Sequence, residues 1–165
     1  MILELIRGVI ILIRNPNFDA EEKKWFALLL GIPFQYRELF YHQIETAEIH
    51  RDYSDRCLIL NLYPPTGSQR LPDLGTRVPI NMIIQHIAKP ALTKGKVLFQ
   101  ERYSMECLQG DTGEWPTEFL LHVKDGLVHT LEIFNVDGSV LCKDRLCIGR
   151  VDYSLHPSLA PIEKA

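Results

Sequence analysis

Two histidines, His122 and His129, flank the dipeptide Asp125-Gly126 in the stretch HVKDGLVHTLEIF. A two-residue turn at that dipeptide sets Val123 opposite Val128 and His122 opposite His129 on neighbouring strands. Two imidazoles on one sheet face, joined by a carboxylate such as Glu101, could hold a divalent metal. They could also act as acid and base in a metal-independent hydrolase or nuclease. No local spacing places a third ligand, and two half-exposed sheet histidines are the plainer account. Glu101 falls on an apolar strand face, where burial favours a raised pKa. An ion pair with Arg102 or Arg145 is the simpler role for it.

Other chemical signatures are missing. The chain has no Gly-x-Ser-x-Gly, no phosphate-cradling Gly-x-x-x-x-Gly-Lys and no Gly-x-Gly-x-x-Gly. Cys57, Cys107, Cys142 and Cys147 form no Cys-x-x-Cys and have no histidine at finger spacing, so they read as reduced thiols. No cofactor is implied. The net charge of −3 shows no basic excess, which argues against direct nucleic-acid binding.

A binding surface is better supported. Residues 104–126 carry Glu106, Asp111, Glu114, Glu118 and Asp125 against the single Lys124, with Trp115 among them. An aromatic ringed by acids suits a basic protein partner, so Asp111, Glu114, Trp115 and Glu118 are the candidate partner-binding residues. The loop at 64–76, with three prolines and two glycines, is the second choice.

Such residues need a scaffold. Asp19 and Glu22 have capping-box spacing ahead of Trp25, Leu28 and Leu29, and Gly31 and Pro33 end that helix. A second helix is expected over 36–46, with Leu39, Phe40, Gln43 and Ile44 turned inward. Strands are expected at 47–53, 56–63, 78–87 and 96–107. Asp125-Gly126 and Asp137-Gly138 both suit type I′ turns. The second would pair Phe134 with Leu141, Ile133 with Cys142 and Glu132 with Lys143, completing a C-terminal meander. Residues 151–165 read as a surface tail. The apolar start, Met1–Ile13, is interrupted by Glu4 and Arg7. It is too short for a membrane span of about 20 residues and lacks a signal peptide's features.

The pattern Asp19-x-x-Glu22, Leu28-Leu29-Leu30, Leu39, Gln43, a strand pair, then Leu127-x-x-x-Leu131-Glu132-Ile133-Phe134-x-x-Asp137-Gly138 resembles small bacterial immunity proteins of contact-dependent inhibition and polymorphic toxin systems. The resemblance spans roughly residues 13 to 142. It implies a cytoplasmic, non-enzymatic protein, monomeric, that neutralises a cognate toxin, often a basic nuclease, by covering its surface. Its motifs are scaffold motifs and transfer no site residue. The expected fold is α+β: one domain over 1–150, with an antiparallel sheet of about five to seven strands packed against N-terminal helices.

Overall fold

Asp19 opens the first helix as its spacing to Glu22 predicts. Its Oδ1 accepts the Glu22 N–H at 2.9 Å, and Glu22 Oε1 accepts the Asp19 N–H at 2.8 Å. In the computed structural model, which describes residues 11–75, 79–85, 116–141, 143 and 150–160, α1 runs Ala20–Leu29 and α2 runs Arg37–Thr46. Trp25, Phe26, Leu28, Leu29, Phe40 and Ile44 are buried. Tyr36 enters α2 with φ of 64° and no side-chain cap.

Among the described residues six strands follow: β1 (Glu48–Tyr53), β2 (Cys57–Tyr63), β3 (Ile80–Gln85), β4 (Thr117–Lys124), β5 (Leu127–Asn135) and β6 (Arg150–Leu155). They form one sheet in the order β1-β2-β5-β4-β3-β6, antiparallel at every junction. The fold is α+β, as expected. Alternate strand residues supply the inner face: Leu58, Leu60, Ile80, Met82, Phe119, Leu121, Leu131 and Ile133 are all buried. They pack against the helices. Trp25 meets Phe119 edge-on at 6.3 Å between centroids, and Tyr153 on β6 donates to Leu28 O at 2.6 Å.

The two Asp-Gly dipeptides behave differently. Asp125 (φ 53°) and Gly126 (φ 76°) both take the positive angles a type I′ turn needs, and β4–β5 is a hairpin. At the second dipeptide only Gly138 is left-handed. The predicted partners of β5 are therefore wrong: β2 pairs with Phe134, Ile133 and Glu132 through Cys57, Leu58 and Ile59. Asn135 holds the turned chain instead, donating to Val140 O at 3.0 Å, and Leu141 N–H reaches Asp55 O at 2.7 Å. Lys143 forms ion pairs with Asp19, the N-cap of α1, and with Glu22 in its first turn, not with Glu132.

The expected C-terminal tail is also corrected. Residues 150–155 are edge strand β6 on β3, and Pro157–Leu159 forms a 3-10 turn whose Leu159 is fully buried. Gln35 N–H bonds Leu159 O at 3.0 Å, tying this end to the loop between the helices. The expected strand at 96–107 and residues 1–10 of the apolar start lie outside the described residues.

Candidate partner interface

The side chains that alternate with the core residues form the outer face of the sheet. Register fixes their neighbours. One row reads Cys57, Phe134, Glu118, Ile83, Asp152; the next reads Asp52, Ile59, Glu132, Leu120, Asn81, Ser154. Apolar and acidic groups therefore alternate across four strands. Ile59, Ile83, Glu118, Leu120, Glu132 and Phe134 are each partly exposed. Glu118 lies opposite Phe134, and Leu120 opposite Glu132. Glu118 and Glu132 thus occupy one diagonal of a square of strand positions whose other diagonal, Leu120 and Phe134, is apolar. Diagonal neighbours across an antiparallel pair stand about 7–8 Å apart.

Asn81 Nδ2 donates to Glu118 Oε1 and orients that carboxylate, while Asn81 Oδ1 is buried with no hydrogen-bond partner among the described residues. Among the described residues no lysine or arginine forms an ion pair with Glu118 or Glu132. The negative field is felt locally. Burial and then the charges of Glu132 and Asp52 push the Cys57 thiol above its ordinary pKa. That thiol stays protonated and is a poor nucleophile.

The predicted histidine pair does not form in its expected register. A β-bulge between His122 and Val123 makes His129 the extra residue, so His122 faces Thr130. Exposed His129 instead shares a 2.6 Å hydrogen bond between Nδ1 and Thr130 Oγ1. No group of three His, Cys, Asp or Glu side chains suited to a metal occurs among the described residues. Glu101, Asp111, Glu114 and Trp115 lie outside the described residues. Of the candidate partner-binding residues, Glu118 is the one described: it sits on β4, on the outer face of the sheet.

The second-choice surface, the 64–76 loop, is partly core. Leu71 and Leu74 are buried, and the loop is locked to α2 and the β4–β5 turn through Gln43. Gln43 Nε2 donates to Gln69 O at 2.8 Å and Gly126 O at 3.0 Å, and its Oε1 accepts Val128 N–H at 2.7 Å. Beside this lock a groove of about 360 Å³ opens between α2 and residues 65–69, lined by Leu39, His42, Thr46 and Ser68. Every amide atom of Gln43 named here is committed to the fold.

A buried charge cluster lies at the far end of the sheet. Glu22, fully buried, accepts from Arg51 Nη2 at 2.5 Å, Arg51 Nε at 2.6 Å and Tyr53 Oη at 2.6 Å. Burial alone would raise its pKa. The bonds from Arg51, Tyr53 and the Asp19 backbone, with the Lys143 charge, outweigh that and hold it at about 2. These groups satisfy one another and join α1 to β1, so they are structural.

Comparison with family models, with curated proteins and with solved structures finds no match.

Glu132 and the apolar outer residues were not among the sequence candidates. A signal was present: CLILNLY, INMII and TEFLL place apolar residues at consecutive positions, so both faces of β2, β3 and β4 carry them. A strand of a sheet with one solvated face would alternate cleanly.

Proposed function

We propose that this chain is a binding protein, an immunity protein that neutralises a basic toxin domain, acting as a monomer in the cytoplasm. The observation that carries this reading is the outer sheet face: Glu118 and Glu132, with no described cation beside them, alternate with Ile59, Ile83, Leu120 and Phe134. Nucleases present cationic surfaces to phosphate. An acidic face with apolar groups between its charges complements such a surface without reacting with it. Occlusion needs a rigid scaffold and about 800 Å² on each partner, and a few anchors dominate the affinity. Asp111, Glu114 and Trp115 precede Glu118 in the chain and belong to the same proposal.

The test is co-expression with any toxin domain that a neighbouring gene encodes, scored by growth, with calorimetry on the purified pair. Wild type is expected to rescue and bind. Glu118→Lys with Glu132→Lys should weaken binding by about 100-fold, each reversal contributing about tenfold. A Trp115→Ala, Glu114→Lys variant asks the same of the preceding stretch. A wild-type chain that neither binds nor rescues removes the immunity reading. Full rescue by the charge-reversed variant removes this face from it.

A further inference from the structure

β1 is an edge of the described sheet. Bonded and non-bonded residue pairs alternate along an antiparallel ladder. Ser54 N–H donates to Cys57 O at 2.9 Å, so in the same register Asp52–Ile59, His50–Asn61 and Glu48–Tyr63 are the bonded pairs. The backbone N–H and C=O groups of Ile49, Arg51 and Tyr53 therefore point away from β2, and no group among the described residues bonds them. Such a row is a template for another strand. We propose that it pairs with β1 of a second copy, antiparallel and two-fold symmetric about Arg51. That geometry joins the two sheets into one through about six backbone hydrogen bonds, two at each of three bonded pairs.

Charged side chains ordinarily blunt an edge; on β1 they select one register. The axis at Arg51 places His50 opposite Asp52 of the second copy, twice. These are non-bonded pairs of the new ladder, where side chains stand closest, and an imidazole N–H can donate to a carboxylate. Both residues are exposed. An axis at His50 would set Glu48 against Asp52, and an axis at Asp52 would set that carboxylate against itself. On the other face Ile49 meets Tyr53, and Arg51 meets its own copy. Each guanidinium is held by Glu22 of its own chain, whose charge offsets their repulsion. One strand pair covers less than the about 1,200 Å² of a stable interface, so the dimer is weak. The inference goes beyond the partner-binding reading: the outer face of β3, β4 and β5 stays open in the pair, and each protomer remains the unit that meets a toxin.

Sedimentation velocity on the full-length chain should show a reversible dimer with a Kd between about 10 μM and about 1 mM. Amide hydrogen exchange at Ile49, Arg51 and Tyr53 should slow as concentration rises, while the amides of His50 and Asp52, already bonded to β2, stay unchanged. Asp52→Lys sets a lysine against His50 and should weaken association by about tenfold or more, because two pairs are reversed. His50→Asp with Asp52→Lys restores opposite charges across the same register and should recover the dimer, which excludes misfolding as the cause of the loss. A chain still monomeric at about 1 mM overturns the inference and leaves the edge to a strand of another protein. A dimer indifferent to Asp52→Lys overturns it too, as does a double variant that stays monomeric. None of these results bears on toxin neutralisation, so the two readings fail separately.

Discussion

Glu22 does two jobs with one carboxylate. It closes the capping box of α1 and anchors Arg51 and Tyr53 of β1. Its pKa falls from an ordinary 4.5 to about 2. A depressed carboxylate contributes stability that is complete above the unfolded pKa and lost as pH falls through the folded one. The loss therefore runs from about pH 5 down to about pH 2 and amounts to about 3 kcal/mol. Denaturant unfolding of wild type across that window should show the decline, and Glu22→Gln should flatten it. Glu22→Ala at pH 7 is expected to cost about 3 kcal/mol, the low end for breaking a buried pair, because Arg51 keeps contact with water. The capping role of Glu22 was legible because its partner is three residues away. The hub was not, since Arg51 and Tyr53 lie 29 and 31 residues further on and only the fold brings them close. The histidine pair failed for a related reason: a bulge inserts one residue into a register that the turn alone left in phase.

At the scale of elements, two glycines with the same φ of 76° separate backbone strain from packing. A Cβ at Gly126 would lie 2.7 Å from Leu71 O and 2.9 Å from Arg70 Cβ, whereas one at Gly138 meets nothing within 4 Å. Gly138→Ala should cost about 1–2 kcal/mol, the left-handed penalty alone. Gly126→Ala adds a backbone clash and displaces the Leu71 N–H bond to Gly126 O, so about 3 kcal/mol or more is expected. Urea midpoints for the two variants check the difference. The same locality explains what the sequence disclosed. Hairpins β1–β2 and β4–β5 were readable from turn chemistry and alternation. The insertion of β2 beside β5 was not, because Asp-Gly at 137–138 advertised a nearer partner. The segment after 150 looked like a tail because its prolines at 157 and 161 obscured a short edge strand. Leu159→Ala should cost about 2–5 kcal/mol, as for a core leucine; a surface tail would lose almost nothing, and thermal or urea unfolding distinguishes these outcomes.

For the whole molecule, the inner face and the outer face have separable roles. The core, the Gln43 lock and the Glu22 hub hold the sheet against the helices, and none of them uses Glu132. Replacing Glu132 by Lys should therefore change folding stability by no more than about 0.5 kcal/mol, the range for a surface substitution without structural bonds. Its effect should appear in encounter with a basic partner. Acids facing a cationic surface accelerate association over a distance set by screening, and the Debye length contracts from about 30 Å at 0.01 M salt to about 8 Å at 0.15 M. The association rate of wild type should fall by about tenfold or more across that range. Glu132→Lys should lower the rate at low salt and shallow the salt dependence, while the urea midpoint stays fixed. Stopped-flow mixing with the cognate domain measures the slope. A slope unchanged by the substitution would place the steering charge elsewhere on the chain, whereas a shifted midpoint would make Glu132 part of the scaffold.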